Sequence, residues 1–253
     1  MPIQPPPGAA ASSPTGPVSH AFDAAAQAAV YRAIEERRDM RHFRPDPVDP
    51  AVLRRLMRAA HLAPSVGFMQ PWRFIRITDR SLRERIHALI EDERKLTARA
   101  LGERENEFMR LKVEGVLDAG EVLVAALADG RERHIFGRRT LPEMDLASVA
   151  CAIQNMWLAA RAEGLGLGWV SLFDPQALAQ LLAMPAGARP VAVLCLGHVD
   201  AFYARPMLEL EAWATRMPIE EVLAENAWPG VPSSPASPPQ AGEGSPNRAA
   251  ADG

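Results

Sequence analysis

Residues Asp145–Pro175 read DLASVACAIQNMWLAARAEGLGLGWVSLFDP, and the order of elements inside this stretch decides the fold. Leu146, Val149, Ala150, Ile153, Met156, Trp157 and Ala160 recur at three–four spacing, which predicts a helix running from a cap at Asp145 to Gly164, central and mostly buried. Gly164, Gly166 and Gly168 follow, and then a run of branched and aromatic residues that predicts a strand over 168–173. The glycines invite comparison with a dinucleotide fingerprint, but that motif follows a strand and opens a helix. Here they follow a helix, open a strand and are spaced GxGxG, so the fingerprint fails on context. They still let a backbone lie close against a flat ligand, which would place Ser171 near it.

Outward from this stretch, Asp49-Pro50 and Asp174-Pro175 each set a capping carboxylate before a proline that has no N–H to leave unpaired. Ser81 and Glu84 have the spacing of a capping box. These signals predict helices near 50–61, 81–95 and 175–183, and the Ala-rich segment 22–37 predicts another. Short apolar runs at 73–78, 121–127, 168–173 and 191–197 predict strands separated by helices or long connections. The class is α+β or α/β, with several helices around one sheet. Residues 1–19 and 229–253 are dominated by Pro, Ala, Ser and Gly, which bury too little apolar surface to offset ordering entropy. Both are expected to be disordered tails around a single domain at 20–228.

The chain has 253 residues, 48% of them hydrophobic and 23% charged, enough for a real core. Its net charge is −3 and its Lys and Arg residues are dispersed, so nucleic acid is not the expected partner. Cys151 and Cys195 sit in apolar runs without metal or redox spacing and read as reduced core thiols. The six histidines show no metal-ligand spacing. No apolar run reaches the roughly 20 residues of a bilayer span, and the first residues lack a basic-then-apolar leader pattern, so a cytoplasmic location is expected.

Three segments carry candidate chemistry. In RRDMRHFRPDPV, Arg37, Arg38, Arg41 and Arg44 cluster where the first predicted helix ends. Guanidinium forks bind phosphate oxygens, although cations at a helix end also simply complement its dipole. Asp39 lies inside the cluster and must pair with an arginine or bond something other than the phosphate. HLAPSVGFMQPWRFIRI runs from a Pro-Ser turn through Gln70 into a strand, a place suited to gripping a planar heterocycle by its edge or to serving as a plain anchored loop. The third is the glycine run. GRRTLPEMD, residues 137–145, reads equally as a lid, a dimer contact or a connection.

Taken in order, RRDMR, APSVGFMQPWRF and GLGLGWVSLF resemble the nitroreductase-like flavoproteins, and within them the oxygen-dependent branch that consumes its flavin to make the lower ligand of cobalamin. The likeness runs over roughly 30–215 and includes RLKVEG and GRRTLPEMD, which ordinary nitroreductases do not share in this form. Those enzymes usually carry Ser at the position of Asp39 and Asn at that of Phe68.

The resemblance implies an α+β nitroreductase-like fold, a central mixed sheet flanked by helices, in a domain-swapped homodimer with flavin mononucleotide (FMN) at the interface. It implies catalytic roles for Asp39 and Ser171, and flavin contacts from Arg37, Arg38, Asp39, Met40, Arg41, Pro64, Ser65, Gln70, Lys112, Trp169, Ser171 and Arg205, with no metal. Reduced FMN would be the substrate and molecular oxygen the co-substrate, giving 5,6-dimethylbenzimidazole and erythrose 4-phosphate. A separate flavin reductase would supply the reduced flavin. Asp39 suits a base at the ribityl carbons, Ser171 a hydrogen bond to the flavin, and a lid from 96–115 or 137–145 would exclude water. The alternatives are an NAD(P)H-dependent nitroreductase or flavin reductase that retains FMN, and a flavin carrier.

Overall fold

A computed structural model describes residues 20–228; both expected tails lie outside the described residues. The elements run α1 (Ala24–Glu36), α2 (Pro50–His61), β1 (Trp72–Arg76), α3 (Arg80–Ala100), α4 (Glu105–Arg110), β2 (Glu121–Leu127), α5 (Met144–Ala162), β3 (Gly166–Val170), α6 (Pro175–Leu181), β4 (Arg189–Gly197), α7 (Met207–Leu210) and α8 (Ile219–Val222). The four strands form one sheet in the order β1-β2-β4-β3, and every pairing between them is antiparallel. The expected mixed sheet is therefore antiparallel throughout; among the described residues the one parallel pairing is an isolated bridge between Asp39 and Leu167, in which Asp39 lies outside the four strands.

The core has two layers because β2 and β4 are covered on both faces. Successive side chains of a strand point to opposite faces. Leu123, Ala125 and Leu127 of β2 join Ala192, Leu194 and Leu196 of β4 in the cluster beneath α2 and α5. Val122, Val124, Val193 and Cys195 face the other way, toward Ile86 and Ile90 of α3 and Leu178 of α6. This is why EVLVAAL reads as a continuous apolar run without alternation. Helix α5 supplies Val149, Ile153, Met156, Trp157 and Ala160 to the first layer as expected, while Ala152 is buried there and Ala150 and Leu146 are only partly so.

Two caps fall where expected and two do not. Asp49 and Asp174 accept from the backbone N–H groups of Ala51 and of Gln176 and Ala177. The first turn of α3 is capped by Asp79, whose carboxylate takes both the N–H and the hydroxyl of Ser81. A carboxylate two residues upstream outcompetes the Ser81–Glu84 box, and the helix starts earlier. Asp145 lies inside α5 rather than at its cap, because its carboxylate is drawn to Arg131 and Arg138. The third strand begins at Gly166, so Ser171 lies just beyond its end.

Helix α1 buries none of its side chains, and Val30, Tyr31 and Ile34 along it stand about half exposed or more. Among the described residues, no helix is long and apolar enough to cross a membrane.

Candidate active site

The edge of β3 is where the site begins. Met40 donates its N–H to the Leu167 carbonyl at 3.0 Å, and Trp169 donates its N–H to Asp39 Oδ1 at 2.9 Å. The Asp39 carboxylate thus takes the place of a main-chain acceptor on the sheet edge. The approach is close enough to require glycine: a Cβ on Gly168 would sit 2.3 Å from the Met40 carbonyl oxygen and 2.9 Å from Arg41 Nη1. Arg41 Nη2 binds Asp39 Oδ2 at 2.5 Å and the Trp169 carbonyl at 3.0 Å. Its Nε and Nη1 are buried without a partner. Buried charged donors left unpaired are costly, so this edge is held at some expense.

The remaining arginines of the cluster divide by role. Arg38 spends its guanidinium on main-chain carbonyls, those of Tyr203, Ala204, Glu35 and Arg37, and so ties the end of α1 to the segment after β4. Arg37 lies over the Trp157 ring at 4.6 Å, a cation–π contact, and Trp157 in turn donates to the Arg38 carbonyl. Burial pushes the Arg37 pKa below its usual value, partly countered by Asp39, yet a guanidinium remains cationic there. Arg44 pairs with Asp46.

Arg37, Arg38, Asp39, Arg41, Trp169 and Ser171 line one cavity of about 400 Å³, a volume ordinary for small-molecule sites. Its apolar wall comes from Phe108, Leu111, Val113, Met207 and Trp213, and Arg216 adds a further cation. Four arginines against the carboxylates of Glu35 and Asp39 leave a formal surplus of two positive charges, a match for a phosphate monoester carrying nearly two negative ones. Asp39 keeps 41% of its side-chain surface exposed. Burial by the surrounding protein still raises its pKa above the ordinary aspartate value, with Arg41, the Trp169 N–H and Arg37 pulling the other way.

Other expected site residues lie elsewhere on the chain. Met40 has its side chain in the core, 1% exposed, and meets the site only through its backbone. Lys112 pairs with Asp118 at 2.6 Å, while its neighbours Leu111 and Val113 face the cavity. Arg205 is exposed beside Pro206, which lines the cavity as Arg205 does not. Pro64, Ser65 and Gln70 do not line it either. Their loop is tightly built: Ser65 Oγ accepts from the Gln70 N–H at 3.0 Å, and Gly67, Phe68 and Gln70 all have positive φ. Left-handed backbone at non-glycine residues collects at functional sites. Trp213 and Arg216 were not legible as site residues. The only sign was an aromatic and a cation three apart in a segment otherwise rich in Glu.

The chain belongs to the nitroreductase family, whose model matches residues 34–198. Within that family it is similar to the 5,6-dimethylbenzimidazole synthase of Rhodospirillum rubrum, 40% identical over 209 residues covering 81% of this chain and 96% of that one. The enzyme of the same name from Rhodobacter capsulatus is 38% identical over 79% of this chain and 97% of its own length. Among solved structures, a BluB-like flavoprotein from Clostridium difficile 630 shares the fold with a TM-score of 0.60 at 20% identity, covering 77% of this chain and 97% of that one.

Proposed function

We propose that this chain converts reduced FMN, with molecular oxygen as co-substrate, to 5,6-dimethylbenzimidazole and erythrose 4-phosphate, supplying the lower ligand of cobalamin. The observation that carries the proposal is a carboxylate, Asp39, set among arginines in a cavity otherwise built for an anion. Besides holding Arg41 and the Trp169 N–H, that carboxylate keeps 41% of its side-chain surface open where it lines the cavity, so it can take a proton there. The similarity to two 5,6-dimethylbenzimidazole synthases over nearly their whole length supports the same reaction.

Arg37 and Arg216 hold the phosphate at the cationic end, and Arg41 keeps Asp39 in place beside it. The reaction needs a proton moved at the ribityl chain, because the first ribityl carbon becomes the bridge between the two ring nitrogens and the other four carbons leave with the phosphate. Asp39 is the base at that chain, and Ser171, at the end of β3, hydrogen-bonds the flavin. The segment bearing Phe108, Leu111 and Val113 excludes water from it.

The working form is a homodimer in which the Ser65–Gln70 loop of one protomer borders the flavin held by the arginines of the other. Two observations support this: the loop does not line the cavity of its own chain, and α1 with Phe68 and Phe136 leaves apolar surface uncovered. A separate flavin reductase supplies the reduced flavin in the cytoplasm.

The test is to add photoreduced FMN to the purified protein, admit air and follow products by chromatography with mass detection. Wild type is expected to form 5,6-dimethylbenzimidazole, and Asp39→Asn to bind FMN without forming it. Return of oxidised FMN alone would refute the proposal, and NAD(P)H consumption with retained flavin would mark a reductase instead.

A further inference from the structure

The segment GRRTLPEMD has no part in the site described above, yet it ends at one of the most buried carboxylates of the molecule. Asp145 is 5% exposed and receives Arg131 Nε at 2.8 Å and Arg138 at 3.3 Å. Arg131 also reaches the carbonyls of Ala128 and Gly187, and Arg138 reaches that of Arg131. One carboxylate therefore gathers the whole 131–139 segment against the end of β2 and the start of α5.

That segment in turn rests on the Ser65–Gln70 loop. A Cβ on Gly67 would lie 2.8 Å from the Phe136 carbonyl oxygen, and one on Gly137 would lie 2.8 Å from Val66 Cγ2, so the two backbones are in contact. One turn along α5 from Asp145, Ser148 Oγ accepts the Val66 N–H at 3.1 Å while donating to the Met144 carbonyl. The first turn of α5 thus grips the Ser65–Gln70 loop directly through Ser148 and braces it from outside through Asp145. A loop with positive φ at Gly67, Phe68 and Gln70 holds that shape only where its surroundings over-determine it.

We infer that Asp145 is a positioning residue for flavin binding: through Arg131 and Arg138 it holds the 131–139 segment as a buttress that fixes the Ser65–Gln70 loop in the conformation that borders the flavin. The inference rests on the proposed placement of that loop at the flavin edge. Asp145 itself does not line the cavity.

The experiment is FMN titration of the full chain, followed by flavin absorption and fluorescence, for wild type, Asp145→Asn and Arg138→Gln. Asp145→Asn keeps the shape of the side chain and removes its charge. It should weaken FMN binding about tenfold or more, since small displacements of positioning groups have effects of that order. It should also change the spectrum of the bound flavin, while the acid limb of the product-forming rate stays where it is in wild type, because Asp39 and Arg41 are untouched. Arg138→Gln, which leaves the Arg131 pair intact, should show the same spectral change with a smaller loss of affinity.

A merely structural Asp145 would lower the melting temperature and leave affinity and spectrum unaltered below it, and that outcome overturns the inference. Should Asp145→Asn fail to fold, Arg138→Gln decides by the same readouts. If wild type itself fails to bind FMN, the proposed function falls. If wild type binds FMN and forms product while both variants bind it identically, only the role of Asp145 falls.

Discussion

Replacing Arg41 by Gln should displace the acid limb of the product-forming reaction to higher pH. Arg41 holds Asp39 at 2.5 Å and is the largest influence favouring the ionised carboxylate against the burial that disfavours it. Two unit charges about 4 Å apart interact by about 4 kcal/mol at an effective dielectric constant near 20. Asp39 keeps 41% of its side-chain surface open, so solvent screening reduces that coupling to about 1.5–2.5 kcal/mol.

The sign follows from the role. A base works ionised, so the rate rises with pH through the pKa of Asp39, which burial already places above the ordinary value. Removing the cation raises that pKa further, and the rate below the limb should fall by about 10- to 100-fold. The assay is single-turnover formation of 5,6-dimethylbenzimidazole from photoreduced FMN under air across a pH series. Arg41→Lys, which retains a cation, should move the limb less. A limb that stays in place in Arg41→Gln, or moves to lower pH, would refute the coupling of Asp39 to Arg41.

Two further outcomes are expected. Gly168→Ala forces a methyl group against the Met40 carbonyl and Arg41 Nη1. It should open the edge of β3 and lose most product formation along with several degrees of melting temperature; a variant with wild-type rate and stability would show that the close approach is dispensable. Cys195 is fully buried, and burial pushes its thiol up to about 12. It should resist iodoacetamide at pH 8 in the folded protein and react after denaturation, as peptide mass analysis would show, whereas labelling in the native state would place it outside the core.

How much of this was legible in the sequence depended on the range of the interactions. Elements set by local chemistry were readable: Asp49-Pro50 and Asp174-Pro175 start helices because cap and proline act within one turn, and α5 shows its buried face at three–four spacing. The capping box at Ser81 was overruled by Asp79, two residues upstream, and Asp145 was drawn off its cap by arginines that the chain brings from 7 and 14 residues away. The arginine cluster was visible, but its division of labour was not. Arg38 serves main-chain carbonyls more than 160 residues distant, and only the fold shows that. Arg216 and Trp213 carried no local pattern, since a cavity wall built from an irregular segment has no period to read.

The Asp39 bond to the Trp169 N–H joins residues 130 positions apart, and Arg38 reaches Tyr203 across 165. Closing loops of that length slows folding, because the entropy is lost before the contacts that reward it can form. The cavity should therefore be among the last features to form as the chain folds. A chain that has its sheet and helices but not this edge would look native by far-ultraviolet circular dichroism and bind no flavin. Flavin capture during refolding would then time the last step of folding, and a ligand that binds only the finished edge would draw slow or destabilised molecules toward the native state.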